Sequence, residues 1–154
     1  RGGIQLDMSQ LATVNSLAVV RELRGAPREI AGRERPVTTG KALMCDLVDW
    51  LRAQGALAVI FTTIKGVPAV FFEHLGSYVM DPLFRVETFS LELVNMALLT
   101  TDPERYAQQR SPVSETCPRR DLTEAEQACR AYCAARHAEI MAGRSIEQLA
   151  GFSR

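Results

Sequence analysis

The sequence predicts a mainly α protein with one β-hairpin after its first helices and a helical C-terminal region. Three observations carry that expectation. Apolar residues recur at helical spacing through 38–55, "TTGKALMCDLVDWLRAQG". Two β-favouring runs, "ALAVIFTT" and "PAVFFEH", flank "IKGV". Helix-start signals stand at Asp102-Pro103 and at Thr123.

Taken in order, residues 9–24 read as a helix, because Leu11, Val14, Leu17, Ala18 and Val20 recur at roughly helical spacing. Asp7 or Ser9 can cap its start, and Gly25 and Pro27 stop it. A short helix is expected at 27–33, with Pro27 in its first turn and Pro36 keeping Arg35 out of the helical region. Thr38 or Thr39 then caps a helix that Gly55 ends. On its helical wheel Leu43, Leu47, Trp50 and Leu51 share one face, with Met44 and Val48 at its edge. Thr38, Lys41, Cys45, Asp49 and Arg52 fall opposite, and Asp49 and Arg52 are spaced to pair at i,i+3. The hairpin occupies 57–74, and 77–82 offers a short third strand. Helices are expected at 87–100, 103–110 and 123–142, with a two-proline loop at 111–121. Thr123 and Glu126 make the S/T-x-x-E capping box.

The order of helix, short helix, turn, longer helix and hairpin resembles a winged helix-turn-helix. "REIAGRERPVTTGKALMCDLVDWLRAQGAL" resembles the segment that MarR-like and ArsR-like regulators place in the major groove, and "IKGVPAVFF" resembles a wing and its return strand. The resemblance covers roughly residues 9–74. It implies a DNA-binding transcriptional regulator with a recognition helix at 38–54, a wing at 57–74, and a winged unit over 1–82. The region 83–154 would then serve dimerisation or sensing, since two-fold DNA sites are read by homodimers. The N-terminal residues of a groove-bound helix reach base edges, so Thr38, Thr39 and Lys41 are the first candidate contacts, with Cys45 one turn further on. Lys65 at the wing tip and Arg28, Arg33 and Arg35 are candidates for phosphate. Asp46 and Asp49 put negative charge on or near the reading helix, and they favour the alternative of a winged module for protein contact.

Composition fits this class. The 154 residues suffice for one domain or two small ones, with 47% hydrophobic and 23% charged residues, as in soluble globular chains. Net charge is zero but unevenly spread. Residues 1–66 hold nine Lys and Arg against six Asp and Glu, and the remainder nine against twelve, so the first half suits a polyanion. No apolar run approaches the ~20 residues that span a bilayer, and no leader is visible in a chain that begins at Arg1. Four cysteines in a chain with a good core need not pair, which favours a reducing, cytoplasmic setting. No cofactor is expected.

Two further readings compete. A helix bearing Cys45, followed by His74 and Asp81, has the order of papain-like and transglutaminase-like hydrolases or deamidases. With a turn at Leu75-Gly76, however, His74 and Asp81 fall ~13 Å apart along the strands, and Asp46 and Asp49 would raise the thiol pKa. "CRAYCAARH" sets Cys129, Cys133 and His137 on one helical face, with Cys117 upstream. Eight residues of helix span ~12 Å, too far for Cys129 and His137 to share one metal. Core packing is the expectation, with metal sensing or a redox switch as alternatives.

Overall fold

A computed structural model describes residues 7–14, 27–29, 34, 36–64, 66–81, 84–86 and 91–149. Its strands are β1 (Leu11–Thr13), β2 (Pro27–Arg28), β3 (Val37–Thr38), β4 (Ala58–Ile64), β5 (Tyr78–Val79), β6 (Phe84–Val86) and β7 (Leu91–Leu99). Its helices are α1 (Thr39–Ala53), α2 (Val67–His74), α3 (Pro103–Gln109), α4 (Glu124–Met141) and α5 (Ile146–Leu149), with a 3-10 turn at Pro112–Glu115. The main sheet runs β1-β4-β7-β5, and β6 also pairs with β7. The β1–β4 pair is parallel; β7 is antiparallel to β4, β5 and β6. The architecture is therefore α/β, with helices and a small mixed sheet.

Side-chain alternation along β4 and β7 explains the layering. Val59, Phe61, Val94, Met96 and Leu98 face a core closed by Met44, Cys45, Val48 and Leu51 of α1 and Ala69 and Phe72 of α2. The opposite face, through Ala58, Ala97 and Leu99, packs with Tyr78 on Cys129 and Cys133 of α4. Helices thus cover both faces of the sheet. Each fully buried Val, Leu or Met contributes about 1.5–3 kcal/mol of hydrophobic stabilisation. Because β7 sits between β4 and β5, one sheet draws on both sides of the expected boundary at residues 82 and 83.

Several expected elements are corrected. Leu11–Thr13 is a strand, not part of a helix over 9–24, because it pairs in parallel with Ala58–Ile60; residues 15–26 lie outside the described set. Pro27 and Arg28 pair with Thr38 and Val37 instead of opening a helix, and residues 30–33 lie outside the description. The wing is absent. Its first strand exists as β4, but "VPAVFFEH" is helix α2, with a proline in its first turn and Ala69, Phe72 and Glu73 buried at helical spacing. A short apolar run fits either period, and here packing under the sheet decides. The helix expected at 87–100 is β7. From Met96 to Leu99 both its faces are buried, so that half of the strand lacks the polar alternation that marks a half-exposed strand.

Other elements stand as expected. α1, α3 and α4 match their predicted spans closely, and Tyr78–Val79 supplies the short strand within 77–82. The capping box forms in full. Thr123 Oγ1 accepts from the Glu126 N–H at 3.2 Å, and Glu126 Oε2 accepts from the Thr123 N–H at 2.7 Å. Arg120 grips the same carboxylate at 2.7 and 2.8 Å and, as the first cause, holds the Glu126 pKa down to about 2.

Candidate functional site

Of the expected DNA contacts, Thr38, Thr39 and Lys41 stand together at the start of α1. Thr38 is the N-cap of α1 and makes no side-chain capping bond. Thr38 and Lys41 are half-buried and line a cleft of about 470 Å³ with Glu34, Arg110, Ser114 and Glu115, while Thr39 opens the helix beside them. Cys45 does not share their outward face: it is fully buried with Met44 and Val48. The outward face carries Leu43, Asp46 and Trp50 instead, with Trp50 60% exposed. The helical wheel sets Leu43 and Trp50 inward; the packed face is rotated from that, toward Cys45. Arg28 lies in β2, and Arg33, Arg35 and Lys65 lie outside the described residues. The expected Asp49–Arg52 pair forms at 3.0 Å, and Arg52 also donates from Nε to the Thr100 carbonyl at 2.6 Å.

The hydrolase constellation is not assembled. Cys45 is sealed in the core, His74 is half-exposed beside Glu73, and Asp81 accepts from Asn95 Nδ2 at 3.0 Å. The cysteine stripe packs as expected, with Cys129 and Cys133 buried, but Cys117 belongs to the other core cluster. Among the described residues, no three His, Cys, Asp or Glu side chains are placed to hold a metal.

What the fold does assemble is a polar cleft of about 410 Å³ between α3 and α4, floored by β5. Asp102 builds it. Its fully buried carboxylate caps α3 by accepting from the Arg105 N–H at 3.2 Å, and accepts from the Tyr78 hydroxyl at 2.6 Å. The Arg105 guanidinium lies 4.8 Å over the Tyr78 ring, a favourable cation–π placement. Its Nη2 donates to Glu73 Oε1 at 2.9 Å and to the Ser77 carbonyl at 3.1 Å. From α4, Arg130 pairs with Glu104 at 2.8 Å across the rim. Ala131 and Ala134 leave the wall open.

His137 closes the floor. Its Nδ1 accepts from the Val79 N–H at 2.9 Å, which requires a lone pair there and puts the ring proton on Nε2. Burial first, then the charge of Arg105, pushes its pKa down to about 4. Burial, then the bond to Asp102, raises the Tyr78 pKa, so the phenol keeps its proton. At neutral pH the Tyr78 proton is held by Asp102, the His137 Nε2–H remains as a donor, and the His137 Nδ1 lone pair is taken by the Val79 N–H.

The His137 shift fixes a sign. The unfolded ring, near 6.5, binds a proton that the folded ring refuses until about pH 4. Stability should therefore fall as pH drops from about 6.5 toward 4, and be unaffected by this group above that window. Urea unfolding of the parent and of His137→Asn across the window checks this; parallel pH profiles would show that His137 contributes nothing.

Of these residues, only Asp102 and His137 stand out in the sequence, one as a cap and the other as part of a cysteine stripe. Tyr78, Arg105 and Arg130 carry no motif; the "DPERY" cap is the one local signal that places Arg105 on the turn after Asp102. No helix among the described residues is long and apolar enough to cross a membrane. No family model, curated protein or solved structure matches the chain.

Proposed function

We propose that this chain is a ligand-binding α/β domain that holds a small, neutral, oxygen-bearing molecule, of the amide or polyol class, in the α3–α4 cleft. The observation that carries the reading is Arg105. It lines the cleft, is only 8% exposed, and its buried Nε has no hydrogen-bond partner. An unpaired buried donor costs about 1–3 kcal/mol, and a ligand oxygen recovers it if the guanidinium shifts toward the cleft, since the Nε has no exposed surface in the unliganded chain. Charge supports a neutral ligand. On the lining Asp102 and Glu104 balance Arg105 and Arg130, and Arg105 is already paired with Glu73 behind it, so an anion meets no uncompensated cation.

A thermal-shift panel of amides, polyols, nucleosides and carboxylates tests the reading. A true ligand at a hundredfold excess over its Kd adds about 2.7 kcal/mol. Ala134→Trp, at an exposed position on the cleft wall, should abolish that shift while leaving the unliganded melting point unchanged. A shift that survives the tryptophan, or one produced by carboxylates alone, refutes the proposal.

Duplex DNA binding by a dimeric regulator is the second reading, and it rests on the start of α1. Thr38 and Lys41 open onto the 470 Å³ cleft, where Arg110 adds a second cation. Glu34 and Glu115 line the same cleft and weaken its field. If this face binds phosphate, Lys41→Ala should lower affinity and flatten the log–log salt dependence by about one unit. A slope near zero for the parent chain on a pool of duplexes ends this reading.

A further inference from the structure

The polar groups of the α3–α4 cleft are sorted by depth. On the floor the acceptors are spent. Asp102 is fully buried, and its two oxygens accept from the Arg105 N–H and the Tyr78 hydroxyl. The His137 Nδ1 lone pair is held by the Val79 N–H. Donors are left over. The His137 Nε2–H has no partner among the described residues and, unlike the Arg105 Nε, it is open to the cleft. The Arg105 Nε is a second spare donor, reached when the guanidinium shifts toward the cleft. At the mouth the balance reverses. The Glu104 carboxylate is 64% exposed beside Arg130. Gln127 donates from Nε2 to the Leu122 carbonyl at 2.9 Å and keeps its Oε1 as an acceptor. Between floor and mouth, Ala131 and Ala134 present a wall without polar side-chain atoms.

Resting on the reading of this cleft as a ligand site, we propose that it selects a small carboxamide over a polyol, with the carbonyl pointing inward to His137 Nε2 and the amide N–H outward to Glu104.

The chemistry of the two ligand classes decides. A carbonyl oxygen only accepts, so it satisfies a floor donor and brings no hydrogen of its own. A hydroxyl accepts and also carries a hydrogen. Turned toward this floor, that hydrogen finds the His137 Nδ1 occupied and Asp102 out of reach. A buried donor left without a partner costs more than a typical hydrogen bond returns. The amide dipole fits as well. Its negative end meets the donor floor and its positive N–H end meets the carboxylate at the mouth, while its alkyl or aryl body rests on Ala131 and Ala134. A carboxylate also presents an oxygen inward, but Arg105 is paired with Glu73 and Arg130 with Glu104, so its charge goes unanswered.

Two isosteric pairs test the selection on the full chain: acetamide with isopropanol, and benzamide with 1-phenylethanol. Erythritol serves as the polyol. Affinities are titrated by backbone NMR, and His137 is followed through its ring N–H signal, which is readily assigned in a chain with two histidines. Each amide should bind about tenfold tighter than its alcohol partner. Only the amides should shift the His137 Nε2–H signal and slow its exchange with water. Ala134→Trp should remove both effects. An alcohol or erythritol that binds as tightly as the amides, and is blocked by Ala134→Trp, overturns the selection and leaves the cleft a ligand site. Amide binding that leaves His137 Nε2 unchanged overturns the inward carbonyl. Absence of binding by either amide also overturns the selection, whereas the cleft reading falls only if the wider thermal-shift panel is silent too.

Discussion

Replacing Glu73 with alanine is expected to cost about 3–5 kcal/mol, the penalty for stranding a buried charge. Glu73 and Arg105 are each 8% exposed, and Arg105 Nη2 lies 2.9 Å from Glu73 Oε1. Gln109 Nε2 donates to the same oxygen at 3.2 Å. Without the carboxylate, the guanidinium keeps only the Ser77 carbonyl and the Tyr78 ring, and its Nε is already unpaired. Glu73→Gln retains an acceptor but no charge, and should lose less. Glu73→Leu with Arg105→Met removes both charges and should recover most of the stability, because an apolar pair of similar volume seldom costs what a broken ion pair does. Urea denaturation of the four proteins measures this. A loss below about 1 kcal/mol for Glu73→Ala would mean that water reaches Arg105 and that its burial does not preorganise the cleft.

The same pair shows why the fold is only partly legible in the sequence. Local signals suffice where structure is decided locally. Asp102-Pro103 and the Thr123–Glu126 box satisfy helix N–H groups from within a few residues, and both caps form as expected. Signals fail where long-range pairing decides. Leu11–Thr13 is a strand because Ala58–Ile60 lies beside it, 47 positions on. β7 reads as a helix because its second half, Met96–Leu99, is buried on both faces and has no alternation to show. "PAVFFEH" reads as a strand because aromatic and branched residues favour sheets, yet Gly66 at φ 106° and the proline in the first turn start a helix there. Reading α2 as a strand is what supplies the expected second strand of the hairpin.

The site is less legible still. Glu73, Tyr78, the Asp102–Arg105 turn and His137 come from four separate elements, and only the short spacing from Asp102 to Arg105 announces a contact in the sequence. Helical periodicity does place Cys129, Cys133 and His137 on one face, and that face does meet the sheet. What periodicity cannot supply is the partner on the other side of the contact. The wheel of α1 fails for a related reason. A tryptophan is mostly buried on average, yet Trp50 is exposed while the smaller Cys45 packs into the cluster that holds Val59 and Met96.

Gly76→Ala should be the second large effect, about 2–6 kcal/mol. Gly76 sits at φ 114°, a region an L side chain enters at a cost of about 1–3 kcal/mol. An added Cβ would also stand 2.8 Å from Tyr106 Cδ1 and 3.0 Å from Cε1. Tyr106 has little room to yield. It is fully buried, packs in the main core cluster, and its hydroxyl donates to the Leu99 carbonyl. Displacing a ring so held adds about 1–3 kcal/mol of overpacking. Gly143 separates the two contributions: it too has a positive φ, 79°, but an added Cβ there meets nothing within 4 Å. Gly143→Ala should therefore show the conformational cost alone, and Gly76→Ala should exceed it by the steric share. Both are read from urea midpoints at constant m. Equal losses at the two positions would mean that the Tyr106 ring moves freely aside. The close passage of the β5 approach over α3, which sets Tyr78 beside Asp102, would then not depend on the missing side chain at residue 76.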